Sequence, residues 1–206
     1  METLATFFDK LAKYEGMPAI RLAAPWRPGD VQSITKDFSQ ALRRCSIDLS
    51  VPGATSTPAL GNRVADAVAD GLDQHLVGYK LRRCVGQGYP DRKLLRVNDN
   101  RSFALELKAK TEFNPRDTNR VILTCGSRKL RRSFGTRRPI CHLLATVFYA
   151  KSRSGRRCRI AISGLRFDFL EPWTPVRKRY EASVNQHMLS KGKHSTRLLF
   201  MKRPPN

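Results

Sequence analysis

A mixed α/β fold, with helices packed on the faces of a central mixed sheet, is what this 206-residue sequence predicts. Three observations carry that expectation. Apolar residues recur at helical spacing through the first part of the chain, fall into short runs broken by turn residues from Val77 onward, and return to helical spacing at Tyr180, Val184 and Met188. Hydrophobic residues make up 40% and charged residues 27%, a globular balance that supports one folded domain.

The elements follow in order. Leu4, Phe7, Phe8, Leu11 and Tyr14 mark a first amphipathic helix, and Ile34, Phe38, Ala41, Leu42 and Cys45 a second, with Pro25-Trp26-Arg27-Pro28-Gly29 between them. Ser50 to Pro58 reads as a loop. A third helix spans Gly61 to Leu76, apolar at Val64, Ala65, Val68, Leu72 and Leu76 and acidic at Asp66, Asp70 and Asp73. Strands are expected at Tyr79–Val85, Lys93–Val97, Ser102–Lys110, Val121–Cys125, His142–Ala150, Cys158–Ser163 and Leu165–Phe169, with a tight turn at Asn98-Asp99-Asn100. Tyr180, Val184 and Met188 predict a late helix, and Thr196–Met201 a last strand.

Charge is concentrated in one part of the chain. Residues 1–90 are close to neutral at net +2, whereas residues 91–206 carry net +20. A field of that size favours a polyanion, because neutralising phosphates releases condensed counterions. The charge is interleaved with strand-like runs and not laid along an amphipathic helix, which disfavours a membrane surface. Arg outnumbers Lys, 26 to 13, and guanidinium grips phosphate or a guanine edge with paired hydrogen bonds; a GC-rich genome would give the same ratio.

Five scattered cysteines, none two residues from another, argue against a disulfide framework or a zinc knuckle and for a reducing cytoplasm. The longest nearly apolar run, Ile140 to Ala150, is too short to span a bilayer. No Gly-x-x-x-x-Gly-Lys loop occurs, so no nucleoside triphosphate is expected. His75, His142, His187 and His194 are isolated, His142 in an apolar strand as a core residue and His187 on the late helix.

The chemistry centres on the strand Ser102–Lys110. Its period of two points Phe103, Leu105, Leu107 and Ala109 to one face and Ala104, Glu106, Lys108 and Lys110 to the other. Glu106 and Lys108 are therefore neighbours, and charged groups among core-grade residues are costly without a partner or a task. Upstream, Pro90-Asp91 follows Gly86-Gln87-Gly88-Tyr89, and the turn at Asn98–Asn100 lets the chain return so that Asp91 meets Glu106. Two carboxylates beside a lysine suit magnesium, a hard cation that takes one or two protein carboxylates and leaves positions for water and phosphate. An ordinary salt bridge on an edge strand is the structural alternative for Glu106 and Lys108.

Pro-Asp followed by Glu-x-Lys on a strand resembles the PD-(D/E)XK nuclease family, which includes most type II restriction endonucleases. The match covers Tyr89 to Lys110 directly, and the flanking elements fit the family's αβββαβ core loosely over about residues 60–190. Glu-x-Lys alone is expected about 0.4 times by chance in a chain of this composition, so the weight rests on the combination. The resemblance implies a restriction-endonuclease-like core in which Asp91 and Glu106 hold magnesium, or manganese in its place, with the backbone carbonyl of Leu107 as a further ligand. Lys108 then assists the attacking water. Many members carry a Glu on the preceding helix; the positions here are Asp66 or Asp70, with a shorter side chain.

The implied activity is magnesium-dependent hydrolysis of double-stranded DNA at a short site by a homodimer in a bacterial or archaeal cytoplasm. The domain is expected to fill residues 1–206, with 1–58 as a helical segment on or beside a catalytic core at 59–206. The polar loop from Asn114 to Arg120 and the basic cluster from Gly126 to Arg132 are the candidate DNA contacts, through Asn114, Arg116, Asn119, Arg120, Arg128, Lys129, Arg131 and Arg132. A repair or junction-specific nuclease shares this chemistry. A non-catalytic basic nucleic-acid-binding protein would explain the charge but not the carboxylates.

Overall fold

The computed structural model describes residues 2–14, 16, 23–45, 47, 49–53, 57–86, 89–111, 121–124, 127–135, 138–181, 184–189 and 196–200. They form a mixed α/β fold in the order α1 (Leu4–Tyr14), α2 (Pro28–Arg44), β1 (Leu49–Pro52), α3 (Thr57–Asp73), β2 (Tyr79–Arg83), β3 (Arg92–Arg96), β4 (Ser102–Lys110), β5 (Val121–Thr124), α4 (Ser127–Phe134), β6 (His142–Ser154), β7 (Arg157–Leu170), β8 (Val176–Glu181), β9 (Val184–Leu189) and β10 (Thr196–Phe200). The main sheet has the strand order β1-β7-β6-β4-β3-β2, with β10 also on β7, and a smaller sheet runs β5-β9-β8. Among the described residues no helix is long and apolar enough to cross a membrane.

Alternation along β4 divides the core. Phe103, Leu105 and Leu107 join a large cluster with Ile34, Phe38 and Leu42 of α2 and Val64, Val68 and Leu72 of α3. On the opposite face Ala104 joins Leu4, Phe7 and Phe8 of α1, Leu130 of α4 and Leu144 of β6. The sheet is thus covered on both faces, which is what a parallel pair such as β4–β6 requires. Residues of the N-terminal segment belong to the same cluster as the sheet. Trp26 stacks on Phe103 at 5.0 Å, meets Phe169 edge-on at 5.0 Å and donates its indole N–H to the carbonyl of His142.

Helix starts and turns follow local chemistry. Pro28 opens α2, where a missing N–H costs nothing. Asp37 accepts the N–H groups of Val77 and Gly78, and Asp73 accepts that of Leu81, so acidic side chains of α2 and α3 fix the entry to β2. Asn100 takes the left-handed conformation, φ 55°, at the β3–β4 turn. There Asp30 of α2 forms ion pairs with Arg96 and Arg101 from both sides of the turn.

Several expectations are corrected. The stretch from Ser50 to Pro58 holds most of β1 and the start of α3, which runs Thr57–Asp73 and not to Leu76. The strands expected at Tyr79–Val85 and Lys93–Val97 run Tyr79–Arg83 and Arg92–Arg96, and that expected at His142–Ala150 continues to Ser154; Cys125 and Met201, where Val121–Cys125 and Thr196–Met201 were expected to end, lie outside the described residues. Cys158–Ser163 and Leu165–Phe169 are parts of one strand, paired with β6 in a long hairpin whose register shifts at Phe148/Tyr149. The late helix is replaced by strands: Tyr180 lies in β8 and Val184, His187 and Met188 in β9, which pair antiparallel. Their spacing of four satisfies a period of two as well as one of 3.6, so it does not discriminate helix from strand. The basic cluster, for which no element was expected, contains α4, whose few apolar positions are too sparse to announce a helix.

Candidate active site

β3 and β4 pair only as far as Arg92↔Leu105, so the N–H of Leu107 lies beyond the last rung of that ladder. The Asp91 carboxylate takes its place, accepting that N–H at Oδ2 over 3.0 Å. Asp91 is held from behind as well. Its carbonyl accepts the N–H of Cys84, and two residues earlier the buried Tyr89 hydroxyl meets Nδ1 of fully buried His142. The Tyr89–Pro90 peptide is cis. His142 is thus the core residue expected from its apolar strand, and it braces the turn that presents Asp91.

Glu106 sits on β4, an interior strand between β3 and β6, and is 4% exposed. This replaces the alternative of a solvated pair on an edge strand. Lys108 donates to Glu106 Oε1 over 2.6 Å, while Oε2 is buried with no hydrogen-bond partner. Burial pushes the Glu106 carboxyl up to about 7, the Asp91 charge adds to that, and Lys108 and Lys129 oppose it. Lys108 is thus tied to Glu106, and Asp91 to the main chain of Leu107, the residue between them.

A cleft of about 540 Å³ opens here, because β2 ends at Arg83 and β3 begins at Arg92 while β4 continues past both. Its walls are Asn62, Ala65 and Asp66 of α3, Arg83 to Gly86 at the end of β2, Asp91 and Arg92, Leu107 and Lys108 of β4, and Lys129 of α4. Asp66 lies in the cleft, but its oxygens are occupied by Arg83 at 2.5 Å and by buried Arg92 at 2.6 Å. Burial works against ionisation of Asp66, yet the hydrogen bonds from Arg83 and Arg92 hold its carboxyl below the usual range. Asp70 is exposed, 3.6 Å from Arg92, and is not among the cleft residues.

Magnesium needs a few hard oxygen donors; Asp91 lines the cleft, and the unpartnered Oε2 belongs to buried Glu106, which stands in β4 between Leu105 and the cleft residue Leu107. Among the described residues no group of three or more His, Cys, Asp or Glu side chains gathers. Two carboxylates and a main-chain carbonyl are a smaller set, and one that fits a cation retaining water and substrate oxygens.

Of the basic residues of α4, Arg128 and Arg132 are exposed, Arg131 is buried at 8%, and Lys129 is half-buried in the cleft wall. Asn114, Arg116, Asn119 and Arg120 lie outside the described residues. Sequence reasoning did not single out Tyr89, Arg92 or the position of Lys129 in the cleft wall. A tyrosine just before Pro-Asp was the available signal for the first; the other two depend on which helix packs where. No protein-family model matches the chain, and no curated protein matches it.

Proposed function

We propose that this chain is a magnesium-dependent DNA endonuclease of the PD-(D/E)XK type, acting as a homodimeric type II restriction enzyme on double-stranded DNA. The observation that carries the reading is that Asp91 and Lys108 line one cleft, Asp91 bound to the Leu107 N–H and Lys108 to Glu106, whose Oε2 is buried and unpartnered. The element order α3-β2-β3-β4-β5-α4-β6, in which β5 belongs to the smaller sheet and β4 and β6 are parallel, supports a restriction-endonuclease-like αβββαβ core with β5 as an insertion. The helix of that core before β6 is α4, and not the late helix expected from the sequence.

Asp91 and Glu106 would hold the magnesium, joined by the Leu107 carbonyl. When bound there, the cation supplies positive charge at a phosphate oxygen and lowers the pKa of water. The protein's own groups do the rest. Leu107's N–H fixes one Asp91 oxygen and leaves the other to the cleft. Lys108, anchored by Glu106 and about one-third exposed at its side chain, would orient the attacking water and offset charge on the phosphate. The +20 region supplies sequence-independent attraction for the DNA backbone. A two-fold dimer would present one cleft to each strand of a palindromic site.

The test is incubation with mixed plasmid and phage DNA in magnesium, followed by sequencing of the ends. Discrete linear fragments with a shared end sequence support the proposal. Nicking alone, or cutting confined to branched DNA, points to a repair or junction nuclease of the same chemistry. Retained DNA binding with no magnesium-dependent cutting, unchanged in Asp91→Ala and Glu106→Ala, leaves a basic nucleic-acid-binding protein.

A further inference from the structure

We propose that the arm formed by the far ends of β6 and β7, with β1 along its side, is a docking surface for the sugar–phosphate backbone of a DNA duplex, with Arg157 and Arg159 as its phosphate contacts. The inference rests on the nuclease reading above and assigns the surface that would hold the substrate in line with the cleft.

β6 outruns the strand that carries Glu106. The last rung between β4 and β6 is Lys110↔Phe148, yet β6 continues to Ser154 and turns back through Gly155, at φ 58°, and Arg156 into β7. β1 lies along this hairpin from Leu49↔Ile160 to Pro52↔Arg157, and the N–H of Gly53 reaches the Arg156 carbonyl at 2.9 Å. One face of the arm is core, where Val51, Tyr149, Ile160 and Ile162 are buried in the large cluster. The other face is open. Ser50, Ala150 and Ser152 are exposed there, and exposed Arg157 and Arg159 stand among these short side chains. Because side chains alternate, Ala150 and Ser152 share the face of β6 occupied by Thr146, the rung partner of Lys108. The open face therefore continues the face of the sheet on which Glu106 and Lys108 stand, beyond the end of β4.

Between Tyr149 and Ser163 the chain has five Lys or Arg and no Asp or Glu. A surface of that charge fits a polyanion, and its short side chains let a duplex backbone come close while leaving little that could reach into a groove. Arg157 is oriented in advance, its Nε donating to Ser50 Oγ at 2.8 Å and its Nη2 to the Ser50 carbonyl at 3.1 Å. An arginine fixed in this way loses less side-chain freedom when it grips a phosphate. Along β6 the rung of Arg159 lies six residues, and that of Arg157 eight residues, past the rung of Lys108. Those intervals are roughly 20 and 27 Å at about 3.3 Å per residue. Phosphates of one DNA strand follow one another every 3.4 Å or so along the axis, which puts the two contacts about six and eight nucleotides from the bond at the cleft.

The experiment measures metal-free affinity for a synthetic DNA duplex as a function of salt. Arg157→Gln and Arg159→Gln, singly and together, are compared with wild type and with a variant carrying Arg43→Gln and Arg44→Gln, which removes two exposed charges from the last turn of α2. Each arm substitution is expected to reduce the slope of log affinity against log salt by about 0.9 and the pair by about 1.8, while the α2 variant keeps the wild-type slope. In single-turnover cleavage the arm variants should need more enzyme for half-maximal rate and reach the wild-type rate at saturation. Wild-type slopes in the arm variants overturn the inference. So do equal losses in the arm and α2 variants, which report net charge alone, and so does tighter binding to an RNA duplex of the same length. Arg159→Gln by itself decides the matter should Arg157→Gln, which gives up the bonds to Ser50, fail to fold. A wild type with arm-dependent DNA binding and no magnesium-dependent cleavage overturns the nuclease reading and leaves the docking surface standing.

Discussion

The side chain of Asp91 completes the hydrogen bonding of Leu107, taking its N–H at 3.0 Å where β3 has already ended. One carboxylate thereby has two tasks, one structural and one at the cleft, and the tasks are separable. Asp91→Asn retains an acceptor oxygen, whereas Asp91→Ala leaves the Leu107 N–H without this partner. Urea unfolding should show Asp91→Ala destabilised by about 1–3 kcal/mol and Asp91→Asn much closer to wild type. Both should lose magnesium-dependent cleavage.

Glu106 gives a pH dependence with a definite sign. Its folded pKa of about 7 lies above the ordinary 4.5, so this carboxyl's contribution to the metal-free fold is fully present below about 4.5 and is lost as pH rises through 7. The loss is on the order of 3 kcal/mol. Glu106→Gln should remove that slope and be the more stable protein at pH 8 without metal. Magnesium should raise the melting temperature of the wild type more at pH 8 than at pH 6, and have little effect on the variant. Equal pH profiles for the two proteins would contradict the burial assigned to this carboxylate.

The bracing of the Asp91 turn by His142 can be read independently of the cation. Tyr89→Phe removes the hydroxyl that meets Nδ1 of His142 inside the core. A cost of about 1–2 kcal/mol is expected in denaturant titration. If the contact also sets where Asp91 stands, the magnesium concentration for half-maximal cleavage should rise in Tyr89→Phe while DNA affinity stays the same.

Packing of α3 on the segment after α2 leaves no room for a methyl group at Gly71, where a Cβ would come within 2.8 Å of Cys45 Sγ. Gly71→Ala should destabilise the protein by about 1–3 kcal/mol. Combining it with Cys45→Ala should recover part of that loss, a non-additivity measurable by a double-mutant cycle.

The Asp66 ion pairs bear on how the acidic stripe of α3 is understood. The family resemblance implied an accessory acid at Asp66 or Asp70, yet each acidic residue has its own environment. Asp73 binds the Leu81 N–H, Asp66 holds Arg83 and Arg92 at the cleft, and Asp70 stays exposed near Arg92. A period along a helix reports which side a residue occupies. It does not report which arginine of a neighbouring strand will arrive there.

The sequence by itself determined what short-range periodicity can encode: the α/β class, the helices near Leu4, Ile34 and Val64, the bounds of β4, and the placement of Glu106 and Lys108 on one of its faces. It also carried the contrast between a nearly neutral first part and a strongly basic remainder. Only the tertiary structure decided that β4 is an interior strand parallel to β6, that residues 176–189 pair as strands, that Arg92 neutralises Asp66, and that α4 brings Lys129 to the carboxylates. The physical reason is range. Alternation and helical spacing are fixed by neighbouring residues, whereas strand order and the packing of α4 depend on which distant apolar faces bury one another.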